Sequence, residues 1–194
     1  MPANLAVAAG LVLLALRSGL DLATLGLQRS DARSGLAWGA GASLIVAAVI
    51  AVAVLVPASR GFFEDDRVLT DNSFNRWFVP VVRIPLGTAL FEEVLFRSVL
   101  LGALLTLVAP WRAAAISACA FGVWHIVPAL EAADGSAVAV LGEVLGIVVV
   151  TTVAGMAFAA LRLWSGSVVA PTLAHVATNS FAYAAALVAL EVLS

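Results

Sequence analysis

Phe91-Glu92-Glu93-Val94-Leu95-Phe96-Arg97 sets two adjacent carboxylates and a guanidinium inside a strongly apolar stretch. The run before it, 78–90, carries a single charge, and the run after it, 98–110, carries none. At bilayer depth each ionisable group costs several kcal/mol unless it is paired or hydrated. Whether this stretch lies in a membrane therefore decides both the fold class and the meaning of its charges.

The rest of the chain answers that question. Of its 194 residues, 63% are hydrophobic and 11% charged, against roughly 25% charged in an ordinary soluble domain. The mean hydropathy is +1.09. Apolar windows recur at 36–57, 78–107, 113–130, 138–161 and 168–190, each matched to a hydrocarbon core of roughly 30 Å. A sixth stretch, 3–16, is shorter and opens without a basic residue, so it reads as a short first span rather than a signal peptide. A buried or interfacial helix is the competing reading there. Ala, Leu and Gly dominate and no stretch alternates with period two, so the spans are helices. The expectation is an all-α polytopic membrane protein of about six transmembrane helices, one domain over 1–194, with the last four helices as the working bundle.

All ten basic residues are arginine, and the net charge is −2. Arg17, Arg29 and Arg33 fall in the first connection, with Arg112 and Arg162 in later short ones. Placing the odd connections in the cytoplasm puts those five inside and both termini outside. The segment 58–76 mixes Glu64, Asp65, Asp66 and Asp71 with Arg60, Arg67 and Arg76, and reads as a loop or interfacial stretch. Cys119 is the sole cysteine, so no intrachain disulfide forms. The absence of a basic cluster argues against a nucleic-acid partner.

Polar residues inside the apolar helices carry the chemistry. Glu93 and Arg97 are i,i+4 with the acid first, the favourable order for a helical ion pair. That pairing leaves Glu92, about 100° away around the helix, to face a cavity. His125 follows Phe121 by four residues, and His175 precedes Asn179 by four, so each pair shares a helix face. Each group also has a plain structural reading: a buried ion cluster, an interfacial histidine, an interhelical hydrogen-bond pair. Together, however, they supply a carboxylate, two imidazoles and an amide from three helices. Glu92 and His125 suit water activation, and His175 and Asn179 suit donation to a developing oxyanion. Neither serine nor cysteine is placed with a base as a covalent nucleophile.

Glu92-Glu93-x-x-x-Arg97, Phe121-x-x-x-His125 and His175-x-x-x-Asn179, in that order, resemble the signature of the CAAX prenyl protease 2 family. That family is also called CPBP or Abi and includes the Rce1-type proteases. Phe91, Phe96 and the run 167–171 agree with it, and the resemblance covers about 78–190, the motif-bearing core. It implies an intramembrane endopeptidase of a bacterial or archaeal plasma membrane. Glu92 and His125 would activate water, His175 and Asn179 would hold the oxyanion, and Glu93 and Arg97 would support them. The implied partners are membrane lipid and a peptide or protein substrate reached within the bilayer.

Three other readings stand beside this one. Glu92, His125 and His175 would also make a two-histidine, one-carboxylate zinc set, although no His-Glu-x-x-His run is present. The expectation is catalysis without a cofactor, with zinc as the alternative. A non-enzymatic scaffold or bacteriocin-immunity role would use the same residues structurally. A proton-coupled transporter would use Glu92, but no inverted repeat accompanies it.

Overall fold

Prolines and small residues decide where these helices start, bend and touch. The computed structural model describes residues 1–63, 68 and 72–192, and among them every regular element is helical. Helix α1 is Pro2–Arg17, and α2 is Ala32–Leu55, entered through a single 3-10 turn at Arg29–Asp31. Helix α3 is the continuous run 73–105, α4 is Pro110–Trp124, and α5 is Ile126–Ala132. The two long C-terminal helices are α6, Ala137–Ser165, and α7, Val169–Glu191. Four stretches are long and apolar enough to cross a membrane: Arg29–Leu55, Pro110–Ala132, Ala137–Ser165 and Val169–Glu191. The chain is an all-α, multi-pass membrane protein. At 16 residues α1 is about 24 Å long, short of the roughly 30 Å hydrocarbon core.

Helix α3 is not uniform. Six α-helical residues, Ser73–Phe78, lead into a π-helical segment at Val79–Ala89, and a second π-helical segment, Val94–Leu100, follows the α turn Leu90–Glu93. Pro85 sits inside the first of these and has no N–H to give. In an i→i+5 ladder the acceptor stranded by that missing donor is the carbonyl of Pro80. Ser180 of α7 supplies the bond instead, its hydroxyl donating to Pro80 O at 2.7 Å.

Proline also explains the break in what reads from sequence as a single span over 113–130. The ring of Pro128 excludes the carbonyl four residues back, that of Trp124. The α-helix stops there, His125 turns its N–H to Gly122 O at 3.1 Å, and α5 begins at Ile126. His125 is thus at a helix junction, not within a helix. Pro110 likewise opens α4 at its first position, rather than closing the helix before it, which has already ended at Leu105. Gly166, at φ 72°, provides the left-handed C-cap that separates α6 from α7.

Small residues set the helix contacts. Gly35 and Gly39 on α2 lie against α7, where a Cβ on Gly39 would stand 3.1 Å from Ala170 Cα. Without a hydrophobic drive between helices in lipid, such close approach is what makes them pack. Gly122 on α4 meets α6 at Thr152, and a Cβ there would lie 2.8 Å from Val148 O. Arg162 corrects the loop-charge count. It is in the last turn of α6, 4% exposed, and donates to the carbonyls of Ala23 and Thr24 at 3.3 and 2.8 Å. It pins the first connection to the bundle and is not a free charge on a loop. Glu64, Asp65, Asp66, Arg67 and Asp71, read as part of an interfacial segment, lie outside the described residues.

Gly122→Ala should cost about 1–3 kcal/mol, because its methyl meets a backbone carbonyl that cannot swing away. Gly146→Ala, which meets nothing within 4 Å, should leave stability unchanged or slightly raised. Thermal unfolding of both variants in one detergent checks the pair.

Candidate active site

Glu92 and Glu93 sit on the single α-helical turn between the two π segments of α3, and both are buried, at 7% and 0% exposure. The i,i+4 pair forms as its spacing indicates: Arg97 Nη1 donates to Glu93 Oε1 at 3.1 Å, with neither side chain exposed. The same Glu93 oxygen also takes a bond from α7, where His175 Nδ1 lies 2.8 Å away. This second partner was not legible in the sequence, since 82 residues separate the two. Arg97 spends another N–H on Gly155 O of α6 at 3.2 Å. Space is tight there, since a Cβ at 155 would stand 3.1 Å from Arg97 Nη2 and 3.2 Å from Ala118 Cα.

Aromatic rings enclose the cluster. The Arg97 guanidinium carbon lies 4.1 Å from the Phe121 ring centroid and 5.3 Å from that of Phe158. Such cation–π contacts are worth up to about 2 kcal/mol when desolvated. His175 stacks on Phe158 with centroids 5.0 Å apart and meets Phe121 edge-on at 5.8 Å. Phe158 had no distinguishing mark in the sequence. It is one more apolar residue of α6 until the fold brings it to His175.

Glu92 is placed differently from its neighbour. Each carboxylate keeps a buried Oε2 without a hydrogen-bond partner, but that of Glu92 stands 3.7 Å from His175 Nε2. That is too long for a direct hydrogen bond and short enough for one water to reach both atoms. His125 and the Trp124 side chain also act on Glu92, from the α4–α5 junction. His125 is half-buried, and its Nδ1 lies 2.8 Å from Phe121 O. A carbonyl only accepts, so Nδ1 carries the proton and Nε2 of the neutral ring is left with its lone pair.

Asn179, one turn beyond His175, is half-buried and does not join that cluster. It lines a groove of about 460 Å³ with Phe62, Phe63, Ile84, Ala182 and Tyr183. Glu92, Glu93, Arg97 and His175 are therefore drawn together, His125 stands at their edge, and Asn179 faces the adjoining groove. Among the described residues no three His, Cys, Asp or Glu side chains are grouped so as to hold a metal ion.

Residues 74–181 match the family model described as type II CAAX prenyl endopeptidase, Rce1-like. The chain belongs to this family. No curated protein and no solved structure matches it. The match spans more than half of the chain and includes every helix that contributes to the buried cluster. This Rce1-like protein is an intramembrane endopeptidase, with a buried Glu92/Glu93–His175 network suited to a glutamate–histidine pair.

Removing one side of the Arg97–Glu93 pair strands a buried carboxylate, at a cost of about 3–5 kcal/mol. Arg97→Ala should accordingly lose most of its folded yield in detergent. Arg97→Lys should recover only part of it, because an ammonium cannot serve Glu93 and Gly155 with the same planar fork. Size-exclusion recovery and thermal unfolding are the measurements.

Proposed function

We propose that the Rce1-like protein hydrolyses a peptide bond with a water activated by Glu92, in a site completed by His125, His175 and Asn179. The observation that carries this reading is the unpaired, buried Glu92 Oε2, 3.7 Å from His175 Nε2. A buried carboxylate oxygen with no protein partner is costly unless a water or substrate occupies it.

The roles follow from the proton inventory. Glu92 takes a proton from water, and the bare Nε2 of His125 accepts the water's other hydrogen and turns its lone pair toward the carbonyl carbon. As the C–O bond forms, negative charge builds on the carbonyl oxygen and needs donors already in place. His175 is held at Nδ1 by Glu93, which aims Nε2 into the site, and with a proton on that nitrogen the ring is one donor. The Asn179 amide, on the groove that adjoins the cluster, is the second donor to a substrate carbonyl that lies between the two. When the C–N bond breaks, the proton held by Glu92 passes to the leaving amine, which returns the carboxylate to its starting state. Glu93 and Arg97 act through His175 and are positioning residues.

The architecture that goes with this reading is a single domain over 1–194 with 78–190 as its core. In it, α3 and α1 also enter the membrane beside the four long helices, making six in all. The compartment implied is a bacterial or archaeal plasma membrane, and the substrate is a peptide reached within the bilayer. Both histidines have one ring nitrogen already committed, so a zinc ion would have to take the two Nε2 atoms and Glu92, displacing the very donors and base the water needs.

Glu92→Gln should abolish cleavage of a peptide substrate in reconstituted membranes while the protein remains folded. A chelator should leave wild-type turnover intact. Loss of turnover on chelation, restored by zinc, would replace the metal-free scheme with a metal-bound water. Asn179→Ala should lower kcat by roughly a hundredfold to a thousandfold, with KM nearly unchanged, as expected for an oxyanion donor. A rise in KM alone would assign Asn179 to substrate binding.

A further inference from the structure

We infer that the seam between α1 and α3 is a binding site for one anionic glycerophospholipid, separate from the catalytic cluster. Two adjoining openings lie along this seam. The first, about 300 Å³, is lined by Met1, Asn4, Phe78, Arg83, Gly87 and Thr88. The second, about 440 Å³, is lined by Ala9, Val12, Leu13, Leu90 and Val94 among others. Residue numbers rise along both helices from one opening to the next, so α1 and α3 run in the same direction there. They follow one another along the seam, a polar mouth and then an apolar opening.

The mouth has the chemistry of a phosphate site. Arg83 is exposed in the midst of an otherwise apolar run, 79–86, and among the described residues no hydrogen bond or ion pair takes it up. Its neighbour in sequence, Arg76, is already held by Glu191 at 2.6 Å. An unpaired arginine in a membrane helix marks a functional contact by default. Thr88 adds a hydroxyl beside it. Asn4 is the clamp that sets the two helices, donating from Nδ2 to Gly87 O at 2.7 Å.

Depth agrees with that assignment. Phe74, Trp77 and Phe78 stack against one another in the turn before the mouth, and Phe74 and Trp77 are about half exposed. Such aromatic groups settle at the membrane–water interface. Arg83 is little more than one turn further in, within reach of the phosphate plane by a snorkelling side chain. The apolar opening then follows toward the bilayer centre, with Leu13 57% exposed and Val94 buried. A free phosphate would fill the mouth and leave the apolar opening empty; a phospholipid fills both. Because Leu90 and Val94 flank Glu92 and Glu93 on α3, an acyl chain seated here would pack against the helix that carries the catalytic carboxylates.

Native mass spectrometry of the delipidated full chain in detergent tests this, using phosphatidylglycerol and phosphatidylcholine with identical acyl chains. One bound phosphatidylglycerol should survive where phosphatidylcholine is lost. Arg83→Gln should weaken phosphatidylglycerol retention roughly fivefold, the effect of one arginine at an anionic headgroup. Ala9→Phe, which fills the apolar opening, should weaken long-chain lipid but spare a short-chain phosphatidylglycerol. Equal retention of the two lipids by the wild type, or full retention by Arg83→Gln, would overturn the site. Displacement of the lipid by inorganic phosphate at equal concentration would reduce it to a free-anion pocket and also overturn it. If Arg83→Gln fails to fold, Thr88→Val and the two-lipid comparison on the wild type decide the matter.

Discussion

A single carboxylate oxygen, Oε1 of Glu93, accepts from Arg97 at 3.1 Å and from His175 at 2.8 Å, and so joins α3 to α7. Arg97 extends the same linkage to α6 through Gly155 O. In a medium that offers no water to a stray charge, none of these groups can be released singly. The three helices are held at fixed spacing by this bonding, and the phenyl rings of Phe121 and Phe158 fill what remains around it. Glu92 owes its position to the same bond: one residue away on the same turn, it is carried to His175 with its Oε2 left unbonded.

The two carboxylates thus divide their duties by geometry. Glu93 holds both its partners, Arg97 and His175, on Oε1 and keeps a buried Oε2 that no bond takes up. Glu92 has a buried oxygen with nothing bound to it. Chemistry fits the second better, because Glu92 faces His175 Nε2 across 3.7 Å, whereas a proton on Glu93 would weaken the Arg97 and His175 bonds that hold the helices together.

What could be read from the sequence was whatever depended on local spacing. The Glu93–Arg97 pair needed only an i,i+4 rule. The membrane class needed only composition, and the cap at Gly166 only the propensity of glycine for positive φ. The break at His125 was written in Pro128, four residues past Trp124, but an apolar window running across it hid the interruption. The union of Glu93 with His175 was beyond any local rule, since it depends on how α3 and α7 cross. Asn179 illustrates the same limit from the other side. Its spacing from His175 is right for a shared face, yet one helical turn is enough to carry it from the buried cluster to the neighbouring groove. The arginine at 162 reads as a loop charge by position and proves to be an internal strut, because the connection it serves folds back over the end of α6.

The hydroxyl of Ser180 on the carbonyl of Pro80 has a mechanical consequence. Together with His175 on Glu93 it fastens α7 to α3 at two points, five residues and roughly 7.5 Å apart on α7 and thirteen residues apart on α3. A rod riveted twice cannot spin about its own length or slide along its neighbour without shearing both rivets. The seam between these helices is therefore fixed in rotation and in register. The contrast is with His125, where α4 ends and α5 continues as a short separate helix without such a double fastening to α3 among the described residues.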